Sequence, residues 1–134
     1  MEVIKALRPK QWIKNLIIFF AFIGNKDFNF TDFVDLLNIF TGFSMVVSST
    51  YIINDLYDKQ SDQEHPTKKF RGIAANKISL NKAITISILL MVFGLLLIYF
   101  IYDQALLITL LYILISLSYT IKLKYLKYFD LGSI

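Results

Sequence analysis

Three aspartates in one short segment are the residues of this chain best suited to chemistry. Asp55, Asp58 and Asp62 stand at positions i, i+3 and i+7, so a helix through them would carry all three carboxylates on one face. Carboxylates held that close repel one another unless a cation lies among them. Mg2+ prefers oxygen ligands, and it commonly binds one or two carboxylates together with the phosphates of a substrate. The spacing therefore predicts a site for Mg2+ and a diphosphate.

The polar face extends upstream of the aspartates, because Ser48 and Tyr51 continue the same three- and four-residue steps. The alternative interpretation is that Ser48 packs helix against helix while the acids are solvated beyond the membrane. A solvated helix end, however, has no need to align three acids. We therefore favour a bound cation.

A cluster of basic residues follows the aspartates and consists of Lys68, Lys69 and Arg71. A metal-bound diphosphate needs cationic partners for its remaining oxygens, and such residues would supply them. The alternative is topological, since loops on the cytoplasmic side of a membrane are basic whatever their function.

The composition excludes an ordinary soluble domain. The 134 residues are 56% hydrophobic, with a mean hydropathy of +0.57. The absence of cysteine excludes disulfides and thiolate metal sites, and a single histidine, His65, argues against His-based metal sites and catalytic triads. The net charge of +4 lies in loops on one side of the predicted membrane, which argues against a nucleic-acid partner.

Four apolar runs are close to the ~20 residues that a bilayer requires. We predict an all-α, polytopic membrane helix bundle with spans at about 11–24, 33–55, 83–102 and 105–121 and an Asp-rich loop at 56–82. The last two spans should form a tight hairpin. All 14 Lys and Arg residues except Lys26 then fall on one side. The positive-inside rule predicts a protein of the cell membrane with both termini and the Asp-rich loop in the cytoplasm.

The entrance to the first span carries an ammonium and an amide, from Lys14 and Asn15. A lysine at a membrane boundary is a candidate for a binding site. The alternative is an interfacial anchor, in which Trp12 lies in the aromatic belt and Lys14 extends to water.

Taken together, these segments resemble the UbiA superfamily of intramembrane prenyltransferases. Its first aspartate-rich motif, N-D-x-x-D-x-x-x-D, is matched by Asn54 and the three aspartates, and its Y-S-x-x-x-K motif is similar to residues 119–124, with Thr120 in place of Ser. Residues 7–15 and 65–71 are similar to the branch that makes polyprenyl-phosphate phosphoribose from a lipid such as decaprenyl phosphate. Gly72 departs from that branch, which usually has Pro there.

The resemblance implies a fold of about nine helices around a central cavity, of which the four spans form the N-terminal half. The whole of residues 1–134 would then be the N-terminal part of a single membrane domain. A second aspartate-rich motif is expected to begin at Asp130, with the C-terminal half beyond this chain. We expect residues 1–134 to be inactive without that half.

The resemblance also implies roles for individual residues. The three aspartates would be catalytic and would hold Mg2+ with help from Asn54, while phosphoribosyl diphosphate would be the donor and a polyprenyl phosphate the acceptor. The substrate-binding residues that we predict are Lys14, Asn15, Asn54, Lys68, Arg71, Tyr119 and Lys124. Two alternatives stay open: an aromatic prenyltransferase acting on a ring such as 4-hydroxybenzoate, and a non-enzymatic membrane protein that binds divalent cations.

Overall fold

The computed structural model of the chain describes residues 2–20 and 29–123, and the regular secondary structure within these ranges is all helical, with no strand. Six α-helices occur there: α1 Glu2–Leu7, α2 Ile17–Phe20, α3 Phe30–Tyr57, α4 Lys59–Glu64, α5 Leu80–Ile101 and α6 Asp103–Ser118. Two 3-10 segments, Pro9–Leu16 and Lys68–Phe70, and a π-helical turn, Tyr119–Leu123, complete the described elements.

Helix α3 is the centre of the bundle. It begins at a capping box, in which the Asn29 side chain accepts hydrogen bonds from the backbone of Thr31 and Asp32 while Asp32 accepts one from the Asn29 N–H. Helix α5 packs along α3, α6 packs against both, and the N-terminal segment lies against α3 as well. The middle of α3, residues 46–50, is therefore buried.

Two glycines bring α3 and α5 into close contact. A Cβ atom added at Gly94 would lie 2.6 Å from the carbonyl oxygen of Gly42, and one added at Gly42 would lie 2.9 Å from that of Gly94. Small residues let helix backbones approach this closely in membranes. A hydrogen bond of 2.7 Å from the Ser49 hydroxyl to the Ser87 carbonyl joins the same two helices. These contacts fix the helix that carries the aspartates.

Three of the four predicted spans coincide with helices that are long and apolar enough to cross a membrane: Phe30–Tyr57, Leu80–Ile101 and Asp103–Ile121. The predicted hairpin is confirmed, since only Tyr102, in an extended conformation, separates α5 from α6. Large apolar side chains are exposed along both of these helices, as contact with lipid or further transmembrane helices requires.

The first predicted span differs from the helix that we expected at residues 11–24. A 3-10 segment runs from Pro9 to Leu16, one α-helical turn follows to Phe20, and residues 21–24 lie outside the described ranges. Pro9 explains why a new segment starts here. Helices usually end at or before the residue that precedes a proline, so α1 ends at Leu7 and the 3-10 segment begins at Pro9. A membrane span in this region stays a prediction.

The spacing of the aspartates suggested one continuous helix, but the structure divides them between two helices and the residue that joins these. Helix α3 ends at Tyr57 and α4 begins at Lys59, with Asp58 between them at φ −84° and ψ 2°. The hydrogen bonds nevertheless continue in i to i−4 steps, from Asp58 N to Asn54 O at 2.9 Å and from Asp62 N to Asp58 O at 2.8 Å. The chain therefore keeps the acids in a near-helical series across the junction.

Candidate active site

All three aspartates of the predicted metal site are buried. Asp55, Asp58 and Asp62 expose 5%, 5% and 2% of their surfaces. The alternative of a solvated helix end is therefore wrong. A buried carboxylate is costly unless it is paired and hydrogen-bonded, so the groups that surround these acids decide what the site can do.

Arg71 joins two of the aspartates. Its Nη1 atom donates to Asp55 Oδ1 at 3.1 Å and to Asp62 Oδ2 at 2.8 Å. The backbone of Arg71 is held on both sides, because its N–H donates to the Lys68 carbonyl at 2.9 Å and its carbonyl accepts from the N–H of Ala75 at 2.8 Å. The 3-10 turn at Lys68–Phe70 thus places the arginine beside the acids, and the role of Arg71 in binding substrate stays a prediction.

A second arginine reaches the same carboxylate from the N-terminal segment. Arg8 Nη2 donates to Asp55 Oδ1 at 2.6 Å, and its guanidinium lies 4.7 Å from the centre of the Tyr51 ring, in cation–π geometry. The backbone of Arg8 is left-handed, at φ 52° and ψ 54°. Side chains other than glycine rarely adopt this conformation, which persists where surrounding contacts over-determine it.

The rest of the N-terminal segment is attached to α3 by matched polar pairs. The Trp12 indole N–H donates to the Ser48 hydroxyl at 2.9 Å, and the Asn15 amide donates to the Ser44 hydroxyl at 3.0 Å. Residues three apart share a face of a 3-10 helix, whereas residues four apart share a face of an α-helix, so the two series stay in register. These contacts fix the segment that presents Arg8.

The substrate-binding residues predicted in this segment therefore fall into two groups. Asn15 is buried and donates to Ser44, so the described contacts use it to anchor the segment. Lys14 is exposed and makes none of the described contacts with the aspartates. A role for either residue in binding substrate stays a prediction.

Asn54 is oriented from both sides. Its amide nitrogen donates to Asp58 Oδ2 at 3.1 Å, and its amide oxygen accepts from the Thr120 hydroxyl at 3.2 Å. Thr120, which is buried, stands in the π-helical turn after α6 and connects that turn to the aspartate motif. The neighbouring Tyr119 is exposed, and Lys124 lies outside the described residues.

A cavity of about 420 Å³ opens beside Asp55. This volume is within the range of small-molecule sites, roughly 300–1,000 Å³. Four of its lining side chains are cationic. The lining comprises Glu2, Lys5, Ala6, Arg8, Asp55, Thr67, Phe70, Arg71, Gly72 and Lys77. Lys68, which we predicted to bind substrate, is half-buried and is not part of this lining.

The donor set at the aspartates suits Mg2+ in its chemistry, because carboxylate and amide oxygens are the ligands that this ion prefers. In the described part of the chain, however, no three acidic or histidine side chains converge closely enough to hold one metal ion. The guanidinium of Arg71 lies between Asp55 and Asp62 instead. The residues thus fit Mg2+ by type, and the described contacts pair Asp55 and Asp62 with arginines and Asp58 with the Asn54 amide.

Comparison with known families identifies the chain. Residues 15–132 match the model of the UbiA prenyltransferase family. The chain belongs to the UbiA prenyltransferase family. Together with the three apolar helices, this membership makes it a multi-pass membrane protein. The nine-helix arrangement expected of a complete UbiA protein stays a prediction.

Several of the proteins to which the chain is similar carry the name decaprenyl-phosphate phosphoribosyltransferase. The chain is 32% identical to decaprenyl-phosphate phosphoribosyltransferase of Mycobacterium tuberculosis, with 92% of this chain and 42% of that protein covered. The enzyme of the same name from Mycolicibacterium smegmatis is 34% identical, with 96% and 42% covered. The Corynebacterium glutamicum enzyme is 40% identical over 60% of this chain and 25% of its own. The chain thus spans about two fifths of the length of the first two relatives.

Sequence reasoning missed two residues of this UbiA site, Arg8 and Thr120. Arg8 was used only as one of the basic residues from which the membrane topology was predicted. Its position directly before Pro9 did indicate a helix break at this point. Thr120 occupies the serine position of the Y-S-x-x-x-K motif. Threonine and serine both have a hydroxyl group, which is the group that contacts Asn54. No signal in the sequence pairs Arg8 with Asp55 across 47 residues.

Proposed function

We propose that this chain belongs to a Mg2+-dependent transferase that moves phosphoribose from phosphoribosyl diphosphate to a polyprenyl phosphate. The observation that carries the proposal is the Arg71 guanidinium bridging Asp55 and Asp62 at a cavity with four cationic side chains. Anionic and cationic groups in contact are what a metal–diphosphate complex requires on its two sides.

In this proposal the acidic residues bind the metal and the basic residues bind the donor. Asp55, Asp58 and Asp62, with Asn54, would hold Mg2+, which when bound supplies positive charge to a departing diphosphate. Arg8 and Arg71 would bind donor oxygens and stabilise negative charge as the bond to the anomeric carbon opens. Lys68, Tyr119 and Lys124 are also proposed to bind substrate, as are Lys14 and Asn15 at the membrane boundary.

The choice of donor rests on charge and on the relatives. An allylic diphosphate offers one anionic group, whereas phosphoribosyl diphosphate offers two. Cations at Lys5, Arg8, Arg71 and Lys77 exceed what one diphosphate beside Mg2+ needs. The names of the two mycobacterial relatives agree with this choice. An aromatic prenyltransferase would have the same aspartate motif. The experiment below therefore compares the two donors directly.

Transfer should be specific for phosphoribosyl diphosphate. Membranes from cells that express a full-length protein, in which residues 1–134 are joined to the C-terminal half that the resemblance implies, are given radiolabelled phosphoribosyl diphosphate with a polyprenyl phosphate, or radiolabelled allylic diphosphate with 4-hydroxybenzoate. We expect label in the lipid phosphate only, and loss of that label when EDTA removes Mg2+. The Asp55→Asn variant is the matched control for background transfer. Label in the aromatic acid, with none in the lipid, would replace this proposal by the aromatic one.

We also propose that the aspartates face the cytoplasm, because that side holds nearly all Lys and Arg residues. The α5–α6 link then lies outside. Since the chain has no cysteine, single cysteines report their own sides. In intact cells, Asp103→Cys should react with an impermeant thiol reagent and Gln60→Cys, exposed in α4, should react only after lysis. The reverse pattern would invert the topology.

A further inference from the structure

The cavity beside Asp55 extends beyond the two arginines to a second pair of cations. Lys5, on α1, and Lys77, on the loop before α5, line it together with Arg8 and Arg71. The acids in the same lining are Glu2 and Asp55, of which Asp55 is already paired with both arginines. Four cations and two acids give the lining a formal charge of +2, of which Asp62, just outside the lining, offsets one through its ion pair with Arg71. The lysines hold positive charge that the aspartate motif does not neutralise.

The backbone that carries Lys77 is fixed. Its N–H donates to the Gly72 carbonyl at 2.9 Å, and the N–H of Ile78 donates to the same oxygen at 3.0 Å. Asn76, left-handed at φ 56°, reverses the chain just before Lys77, in a conformation that asparagine tolerates better than most residues. Ile78 then enters the core against Ile52. Lys77 is thus presented by an ordered loop.

Helix α1 is packed onto this loop and brings Lys5 to the cavity. A Cβ atom at Gly72 would lie 3.7 Å from the Cβ of Glu2 and only 2.9 Å from Ile78 Cδ1, so α1 and the core both crowd this position. Glu2 accepts a hydrogen bond of 2.9 Å from Lys5 Nζ. That bond, together with the nearby charges of Lys5 and Lys77, holds the pKa of Glu2 below its usual value. Glu2 therefore lies within the electrostatic reach of both lysines.

We infer that Lys5 and Lys77 form a subsite for a phosphate monoester, separate from the diphosphate contacts of the aspartate motif. A phosphate monoester carries about −1.5 to −2 charges at neutral pH, and it would be attracted by Lys77 and by Lys5, which otherwise pairs with Glu2. This inference rests on the proposed function, in which the donor's ribose phosphate and the acceptor's lipid phosphate are both monoesters. The cavity has the volume for a small phosphorylated ligand.

The test measures binding by the detergent-solubilised protein, so that it does not depend on turnover. Ribose 5-phosphate is the monoester probe and inorganic pyrophosphate is the diphosphate probe. For a Lys5→Ala/Lys77→Ala double variant we expect affinity for ribose 5-phosphate to fall about ten-fold or more, as for lost charge-assisted hydrogen bonds. Affinity for pyrophosphate should change by less than about two-fold, since the arginines and aspartates are untouched.

Two controls keep the result interpretable. Lys82→Ala removes an exposed cation outside the cavity and should leave both affinities unchanged. Lys5→Arg/Lys77→Arg preserves charge and should retain ribose 5-phosphate binding even if the alanine variant unfolds. Unchanged ribose 5-phosphate and lipid monophosphate affinity in a folded double variant would overturn the inference, as would equal weakening of pyrophosphate binding.

A lipid monophosphate such as geranyl phosphate distinguishes the two sources. Weaker binding of ribose 5-phosphate alone assigns the subsite to the donor, and weaker binding of geranyl phosphate alone assigns it to the acceptor. Either result supports a monoester subsite. Absence of phosphoribose transfer by the unmodified protein would reject the proposed function while leaving lysine-dependent monoester binding intact, so the two failures are distinguishable.

Discussion

In a full-length protein that includes the C-terminal half, Asp55→Asn and Asp58→Asn should each reduce phosphoribose transfer by about 10²–10³-fold, the scale of losing one preorganised electrostatic contact to a transition state. Each change removes a buried negative charge and nearly preserves the shape of the side chain. We expect Mg2+-dependent binding of the donor to disappear in parallel. Transfer is measured with labelled phosphoribosyl diphosphate, and binding with the same donor in the presence and absence of Mg2+.

Asp35→Asn is the matched control for these two variants. Asp35 lies in α3 as well, five residues after its start, and is far along the chain from the aspartate motif. We expect its transfer rate to stay within about two-fold of the original, in line with ordinary surface substitutions. Equal losses in all three variants, accompanied by lower melting temperatures, would show that the acids serve folding rather than the reaction.

Arg71→Ala should have the largest effect on stability. It leaves Asp62 and Asp55 without a shared partner in a buried setting. Removing one member of a fully buried ion pair costs about 3–5 kcal/mol. The Arg71 side chain is 30% exposed, so we expect a loss of roughly 2–3 kcal/mol in unfolding free energy, scaled down from that range. Reversible unfolding in mixed detergent measures it, with Lys69→Ala as an exposed control.

A double variant separates the bridge from other roles of Arg71. Because Asp62→Asn removes the charge that Arg71→Ala would leave unpaired, the two changes together should cost less than their sum. We expect a coupling of about 1–3 kcal/mol, as for residues in one ion-pair network. Arg71→Lys should restore only part of the stability, since an ammonium lacks the planar fork of a guanidinium. Strict additivity would contradict the bridge.

The spacing of the aspartates carried most of what the sequence could predict about the site. Their i, i+3, i+7 pattern, directly after an apolar run, indicated a shared face and a position at the membrane boundary. It did not reveal the junction at Asp58, because a single residue between two helices leaves the hydrogen-bond series nearly intact. The periodicity of the sequence shows which residues share a helix face. Where a helix ends depends on the local backbone geometry, which periodicity does not report.

The contribution of the N-terminal segment was beyond reach of the same reasoning. Periodicity within one segment says nothing about which distant segment supplies its partners, so Arg8 and Asp55 could not be paired. The sequence also did not indicate that Pro9–Leu16 forms a 3-10 helix. A short segment that mixes polar and apolar residues has no periodicity that distinguishes a 3-10 helix from an α-helix. What the sequence did contain was the three-residue spacing of Trp12 and Asn15, which fits a 3-10 face.

The basic loop shows how tertiary contacts can act where a local constraint is missing. Gly72 stands where proline is usual in the branch that the chain resembles, and glycine by itself leaves the backbone more freedom than proline. The Gly72 carbonyl instead accepts two hydrogen bonds, from the N–H groups of Lys77 and Ile78. Tertiary contacts, which sequence patterns do not report, supply the rigidity that a proline ring would otherwise provide.

The described charge network has a consequence for the order in which the protein is made. Arg8, Asp55, Asp62 and Arg71 all precede α5, and every ion pair described among them closes within the first 71 residues. Chains are synthesised from the N-terminus at about 5–20 residues per second, and early segments fold first. Asp55 and Asp62 can therefore meet their guanidinium partners before the α5–α6 hairpin is in place. Charge compensation of these two acids does not require the rest of the bundle.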